Sequence, residues 1–124
     1  MRDEHAHTLW EAFSIYRDGA PHRDTPFFLG DGWYSLLSDL GVKAEGLPFF
    51  VTETKEKFGT LRVYYTLREG VESASEAQYD QMDTFIREAE AASMVTCETC
   101  GAPGTLVQPR RWLTVLCDTC QGAS

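Results

Sequence analysis

The sequence predicts an α+β fold, in which a small antiparallel β-hairpin or sheet packs on helices and a C-terminal zinc ribbon follows. Three observations predict it. Apolar residues recur at helical spacing in several segments, one stretch alternates around a Phe58-Gly59 turn, and all four cysteines fall in the last quarter of the chain. At 124 residues, the chain has the length of one domain. We divide it into an α+β body over residues 1–96 and a zinc module over 97–124, which packs continuously with the body.

The first predicted element is a short amphipathic helix over residues 4–17. Its apolar positions recur every three or four residues, and Gly19 with Pro21 would end it. We expect His5 and His7 to be exposed and to have no function, because a spacing of two suits neither a helix face nor a chelate. Residues 18–31 are rich in Asp, Pro, Gly and Arg and predict an irregular loop.

A second helix is predicted to begin near Asp31, a plausible N-cap, and to end at Gly41. Trp33 opens the helical stripe of apolar residues in this segment. The glycines on either side of Asp31 could instead bring backbone N–H groups close to an anion at the helix start. We favour the plain capped helix, because a lone Gly-x-Gly is a weak signal.

A β-hairpin is predicted over residues 49–57 and 60–67, with Phe58 and Gly59 as its turn. This register places Lys57 opposite Thr60. The core-facing side chains would then be Phe50, Thr52, Thr54 and Glu56 on one strand and Leu67, Tyr65, Val63 and Leu61 on the other.

The opposite side of this hairpin carries a basic face, which we define as Lys55, Lys57, Arg62 and Tyr64. The register sets Lys55 directly opposite Arg62, and a like-charge cross-strand pair costs stability. We therefore expect something acidic beside it, either a carboxylate of the protein or a ligand.

The longest helix is predicted over residues 73–95. Ser73-Ala74-Ser75-Glu76 matches a capping box. The predicted buried stripe comprises Tyr79, Met82, Phe85, Ile86, Ala89 and Ala92. The predicted outer face comprises the acids Glu76, Asp80, Asp83 and Glu90.

The cysteines form two Cys-x-x-Cys pairs, separated by sixteen residues. Zn²⁺ takes four thiolates at tetrahedral corners about 2.3 Å away, and two intervening residues let one turn aim both sulfurs of a pair at the metal. The sequence predicts one structural zinc per chain. Its ligands would be Cys97, Cys100, Cys117 and Cys120. Two disulfides or a redox pair are the alternative. Strand-forming residues at 106–107 and 112–116 predict a hairpin between the pairs, hence a zinc ribbon or a treble-clef-like finger too short for a closing helix.

Charge and composition limit the function. The net charge is −8, and residues 97–124 are formally neutral, so the excess lies in the body. An acidic body repels phosphate backbones, which disfavours non-specific nucleic-acid binding. We find no signal-peptide pattern and no apolar run of bilayer length. Paired cysteines without an export signal are typical of a reducing compartment, so we expect a cytoplasmic protein that does not contact the membrane.

Three motifs carry a resemblance: Gly30-Asp31-Gly32-Trp33, the run from Thr54 to Tyr65 with Lys-Glu-Lys-Phe-Gly-Thr-Leu-Arg at its centre, and the two cysteine pairs with Trp112 between them. Together they resemble a family of small, functionally uncharacterised proteins of bacteria and their phages. The resemblance implies an α+β body with a zinc ribbon, in a bacterial cell or a phage-infected host. It directs attention to Asp31 and Trp33 beside the basic face.

Three functions follow from these observations. In the first, the protein is a non-enzymatic module that binds an anionic small molecule or an acidic protein through the basic face with Asp31 and Trp33. The resemblance implies a phage accessory or counter-defence role, with a host protein as a partner. The second is a metal-dependent enzyme acting on nucleic acid or nucleotides. We favour binding over catalysis, because four cysteines would close the zinc site and no His-x-Glu deaminase pattern precedes them. Nucleic-acid recognition through Arg110, Arg111 and Trp112 ranks third.

Overall fold

Helices and two antiparallel hairpins alternate along the chain, which confirms the predicted α+β class. The structure, a computed structural model, describes residues 1–18 and 27–122, so most of the loop predicted at 18–31 lies outside the described residues. The helices are α1 (Asp3–Ala12), α2 (Ser14–Arg17), α3 (Tyr34–Ala44), α4 (Glu76–Ser93) and α5 (Asp118–Gly122), and a 3₁₀ turn spans Asp31–Trp33. The strands are β1 (Phe49–Lys57), β2 (Thr60–Leu67), β3 (Thr105–Val107) and β4 (Thr114–Leu116).

The N-terminal helix is interrupted at Phe13, whose backbone is extended at φ −128° and ψ 116°. The break turns the Phe13 ring onto Gly41 of α3, where an added Cβ would lie 2.5 Å from the ring. Gly41 is therefore a packing position inside α3 and not its end, because the helix continues to Ala44. The prediction of Gly41 as a helix terminus was wrong.

The hairpin has the predicted strands and turn, and Lys57 pairs with Thr60. A β-bulge at Thr52 then shifts the register, because Val51 pairs with Tyr65 and Glu53 pairs with Tyr64. Beyond the bulge, Phe49 and Val51 face the core with no exposed surface, while Thr52 is exposed and Phe50 only half-buried. The prediction that Phe50 and Thr52 face the core was wrong for this reason.

Helix α4 covers the hairpin. Its buried side includes Met82, Ile86 and Ala89, as predicted, together with Ser93, whereas Tyr79 is exposed and its predicted burial was wrong. The capping box lies two residues beyond the predicted one, at Ser75 and Gln78.

Two acids that we predicted on the solvent face of α4 bond to the hairpin instead. Glu90 accepts from the backbone N–H of Val63 at 3.1 Å, and Asp83 accepts from the hydroxyl of Tyr65 at 2.6 Å. Ser93 accepts in the same way from the N–H of Leu61 at 2.9 Å. The N–H groups of Leu61 and Val63 on the free edge of β2 thus find their acceptors on α4, which blocks this part of the edge to another strand.

Residues after α4 form a module with its own small apolar cluster around Cys97, Leu116 and Cys117. Strands β3 and β4 pair between the two cysteine pairs. A five-residue helix, α5, starts at Asp118 inside the second pair, which corrects the expectation that no closing helix follows. The order of turn, hairpin and short helix is that of a small treble-clef-like finger.

Among the described residues, no helix combines the length and the apolar character that crossing a bilayer requires.

Candidate functional site

The four cysteines converge on one point. The Sγ atoms of Cys97, Cys100, Cys117 and Cys120 all lie within 4.8 Å of one another, and those of Cys100 and Cys117 are 3.6 Å apart. A tetrahedral site with metal–sulfur bonds of about 2.3 Å needs sulfur atoms about 3.8 Å apart. The cysteines are free thiols and not disulfides. They form a cluster that could hold a metal ion.

Local turns aim these sulfurs. In the first pair, the N–H of Gly101 donates to the carbonyl of Cys97 at 2.9 Å, and Gly101 has φ +85°, which glycine adopts without strain. In the second pair, the N–H of Cys120 points at the Sγ of Cys117 at 3.4 Å. Each Cys-x-x-Cys turn thus builds half of the cluster from local backbone geometry.

The thiols influence one another's ionisation. Burial raises the pKa of Cys97, but backbone N–H groups of Cys117, Cys100 and Thr99 outweigh it and lower the pKa to about 6. The neighbouring thiols of Cys117, Cys100 and Cys97 raise the pKa of Cys120 to about 12. The thiolate of Cys97 therefore forms readily, whereas hydrogen bonds with the neighbouring thiols, and to a smaller extent the charge of Cys97, oppose ionisation of Cys120. A cation in the centre would remove that opposition and displace the remaining protons.

The Gly30–Trp33 segment, which we call the docking segment, packs against the first cysteine pair. The N–H of Gly32 donates to the carbonyl of Glu98 at 2.7 Å, and the indole N–H of Trp33 donates to the carbonyl of Thr96 at 3.0 Å. A Cβ added to Gly32 would lie 2.0 Å from the carbonyl oxygen of Cys97. Trp33 has 0% exposure. It lies inside the protein and offers no surface to the ligand or partner for which we proposed it.

Asp31 links the docking segment to the N-terminal helix. Its carboxylate accepts from the backbone N–H of Arg2 at 2.7 Å and lies 3.0 Å from both Arg2 Nε and His5 Nδ1. His5 also stacks on Tyr34, with ring centroids 4.3 Å apart, and is half-buried, so the expectation that it would be exposed was wrong. Asp31 caps no helix through its side chain, and Gly30 is the N-cap of the 3₁₀ turn. Burial raises the pKa of Asp31, but Arg2 and His5 outweigh it and lower the pKa below its usual range.

Glu98 is the residue that the sequence did not single out. Its side chain accepts from the N–H of Gly30 at 3.3 Å and from the hydroxyl of Thr114 at 3.2 Å, and burial raises its pKa. The amides of Gly30 and Gly32 thus both donate to Glu98, which takes the place of the external anion that we considered there. Its position between Cys97 and Cys100 was the one feature of the sequence that could have indicated a role for it.

The basic face is arranged as the register predicts. Lys55 pairs directly with Arg62, and the Lys55 Nζ lies 5.2 Å from the centroid of the Tyr64 ring. The Arg62 guanidinium donates to the Thr60 hydroxyl at 2.9 Å and to the Leu61 carbonyl at 3.0 Å. In the described part of the chain, no carboxylate lies within 4.0 Å of the charged nitrogens of Lys55, Lys57 or Arg62. Asp83 and Glu90 are engaged on the other side of the hairpin.

A cleft opens where the hairpin tip meets the loop between β3 and β4. We call it the tip cleft. Its volume is about 390 Å³, and its lining includes Lys57 and Phe58 from the tip and Arg111, Trp112 and Leu113 from the loop. Phe58 is 70% exposed and Trp112 is 79% exposed. From the sequence we predicted Phe58 only as a turn residue, although a phenylalanine is unusual at the first position of a turn that favours Asn, Asp or Gly.

The tip and the finger are in direct contact at the base of this cleft. A Cβ added to Gly59 would lie 2.5 Å from the Leu106 side chain and 3.1 Å from the backbone of Leu113. The absence of a side chain at Gly59 therefore allows the close approach, and the body and the finger meet both here and at the docking segment.

No protein-family model matches the chain, and no curated protein or solved structure shows significant similarity to it. The resemblance to small bacterial and phage proteins therefore stays a prediction that rests on the three motifs.

Proposed function

We propose that the protein is a non-enzymatic binding module, organised by one structural zinc ion and binding an anionic ligand at the basic face. The ligand would be a nucleotide-like small molecule or an acidic protein surface. The observation that carries this proposal is the set of unpaired cations. Lys55, Lys57 and Arg62 share one face of the hairpin without a carboxylate partner in the described residues, on a protein whose net charge is −8. Such an arrangement costs stability unless an anion offsets it.

Zinc is the metal that the donor set favours, because four thiolates in a tetrahedral arrangement suit Zn²⁺. The four cysteines would fill its coordination sphere and leave no open position for water or substrate. For this reason we place binding ahead of metal-dependent catalysis on nucleotides or nucleic acid. Following the resemblance, we propose the cytoplasm of a phage-infected bacterium as the setting, where the protein would occupy a host defence protein or sequester its anionic signal.

The metal is tested by elemental analysis of the full chain, purified under reducing conditions without added metal. We expect one zinc per chain. Cys117→Ser should lose the metal, whereas Thr119→Ser, a change between the same two ligands, should retain it. Purified protein with far less than one zinc per chain would contradict a structural zinc.

The anion site is tested by isothermal titration calorimetry with inorganic pyrophosphate. The double variant Lys55→Ala and Arg62→Ala should bind at least tenfold more weakly, because both central cations are gone. Its melting temperature should be unchanged or slightly higher, since a like-charge pair has been removed. Arg87→Ala on α4 is the control, because it removes one exposed cation elsewhere. Equal pyrophosphate affinity in the wild type and the double variant would reject the basic face as the site.

A further inference from the structure

Two exposed aromatic side chains flank the tip cleft, and they come from distant parts of the sequence. Phe58 stands at the turn of the first hairpin, and Trp112 lies in the loop between β3 and β4. Aromatic residues bury more apolar area than most side chains when they find a partner, so leaving two of them in water is unfavourable. Exposed apolar residues that border one cavity are typical of a binding site.

The backbone gives a second and independent indication. Phe58 has φ +54°, and it is the one non-glycine residue with positive φ in the described part of the chain. A bulky side chain in the left-handed region is strained, and strain of this kind is concentrated at functional sites. Asn or Gly would fit the turn better. The strain and the exposure therefore both argue against a role for Phe58 that is limited to forming the turn.

The charges of the cleft complement an anion. Lys57 Nζ lies 5.8 Å from the centroid of the Phe58 ring, and Arg111 stands next to Trp112 in the loop. Glu56 is the one acid of the lining, and its Oε1 already accepts the N–H of Gly59 and so holds the turn. The formal charge of the lining is +1 in a protein of net charge −8. Gln108 donates from Nε2 to the carbonyl of Arg111 at 3.2 Å, which steadies the loop.

We propose that the tip cleft binds a nucleotide: a planar heteroaromatic ring against Phe58 and Trp112, with its phosphate on Lys57 and Arg111. Flat rings stack on exposed aromatic side chains, and arginine and lysine bind phosphate. The cleft's volume of about 390 Å³ falls in the range of small-molecule sites. The base can belong to a free nucleotide or to an unpaired position of a single strand. This inference rests on the proposed anion-binding function and selects the nucleotide over the acidic protein surface.

The structure provides a reporter for this site. Of the three tryptophans, Trp33 is fully buried and Trp10 is 7% exposed, so Trp112 is the one that solvent and ligand reach. We expect AMP to change the tryptophan fluorescence of the zinc-loaded protein in a saturable way and to reduce quenching by acrylamide. Adenosine lacks the phosphate and ribose 5-phosphate lacks the ring, so each should bind at least tenfold more weakly than AMP.

A ten-nucleotide single strand of deoxyadenosine separates the two sources of the base. Tighter binding of this strand than of AMP, with an affinity that falls steeply with salt, assigns the site to single strands. Equal or weaker binding assigns it to free nucleotides. Both results support the inference, whereas a preference for double-stranded DNA over both probes would overturn it, because paired bases cannot enter the cleft.

The variants Phe58→Asn and Trp112→Ala should each weaken AMP binding at least tenfold in calorimetry, which needs no tryptophan reporter. Both positions are exposed, so the variants should fold normally, as circular dichroism can verify. Val42→Ala, which trims an exposed apolar side chain on α3, is the control. AMP binding that persists in both variants would overturn the inference. Pyrophosphate binding that depends on Lys55 and Arg62, without any response to AMP, would overturn it while leaving the proposed function intact. If neither probe bound, both would fail.

Discussion

Trp33 packs against the cysteine module and Trp112 lies within it, yet their exposures are 0% and 79%. In the docking segment, which carries Trp33, polar groups form hydrogen bonds within the protein. The indole N–H of Trp33 donates to the carbonyl of Thr96, and the N–H of Gly32 donates to the carbonyl of Glu98. At the tip cleft, Phe58 and Trp112 remain in water, and Phe58 is strained. Both regions combine glycine with an aromatic residue and join the body to the finger. Satisfied polar groups and close backbone contacts thus identify a segment that holds the body and the finger together, which we call a joint. Exposed apolar side chains and backbone strain identify a surface that is available for binding.

The largest expected effect is that of Gly32→Ala. The added Cβ would lie 2.0 Å from the carbonyl oxygen of Cys97 and 2.6 Å from the backbone nitrogen of Gly101, and neither backbone group can move without opening the first cysteine pair. We expect a loss of about 3 kcal/mol or more in the free energy of unfolding, measured in urea. Gly122→Ala is the control, because its Cβ meets nothing within 4 Å, and it should change stability by less than about 0.5 kcal/mol. A stable Gly32→Ala protein with full zinc content would show that the docking segment is not a joint.

Replacing each tryptophan by phenylalanine compares the two regions directly. Trp33→Phe removes the hydrogen bond from the indole, leaves the carbonyl of Thr96 without that donor and opens a cavity. We therefore expect the free energy of unfolding to fall by about 2–3 kcal/mol. Trp112→Phe should stay within about 0.5 kcal/mol of the wild type, because the side chain is exposed. Urea unfolding followed by circular dichroism measures both without depending on tryptophan fluorescence. Equal losses of unfolding free energy in the two variants would contradict the distinction between the docking segment and the tip cleft.

Phe58→Asn should raise stability, in contrast to the changes in the docking segment. Asparagine adopts positive φ at lower cost and matches the Asn-Gly pattern of tight hairpins, so we expect a gain of about 1 kcal/mol. Phe58→Ala is the control, because it removes the ring but keeps a residue that is strained at φ +54°. The melting temperature of the asparagine variant should exceed that of the alanine variant. If the asparagine variant melted lower than the wild type, the Phe58 ring would be a structural contact.

The smallest expected effect on stability is that of Asp31, and it depends on pH. Its pKa is lowered in the folded protein, so its ionised form stabilises the fold above the pKa of the unfolded chain, near 3.8. That contribution is lost as pH falls through the folded-state pKa. The carboxylate is partly exposed, so we expect at most about 1 kcal/mol between wild type and Asp31→Asn at pH 7. The difference should shrink below pH 4 in urea unfolding at several pH values. A difference that grows on acidification would reverse the assigned direction.

The hairpin could be predicted from the sequence because its signals are local. Alternation and the Phe58-Gly59 turn define both strands to the residue. The bulge could not be predicted, because Phe49, Phe50 and Val51 are all apolar. In such a run, either Phe50 or its two neighbours could face the core. The capping box shows the same ambiguity, since Ser73 with Glu76 and Ser75 with Gln78 fit the pattern equally, and the structure has the second.

The candidate sites differ in the same way. The cysteine cluster is predictable, because two short turns determine most of its geometry. The tip cleft is not, because it joins residues near 58 to residues near 112 through tertiary contacts such as that of Gly59 with Leu106 and Leu113. Trp33 was misassigned to a binding surface because its partner, Thr96, lies 63 residues away, and no local pattern reveals it.

That separation also has a consequence for synthesis. Trp33 emerges long before the chain that covers it, since its indole partner follows 63 residues later and Glu98, which accepts from Gly30, follows 68 residues later. At about 5–20 residues per second, the ribosome needs roughly 3–13 s to supply Thr96. During that interval the apolar indole has no docking partner and is open to chaperones and to aggregation. Closing a loop of this length is also entropically slow, so docking of Trp33 on the finger would be a late event in folding.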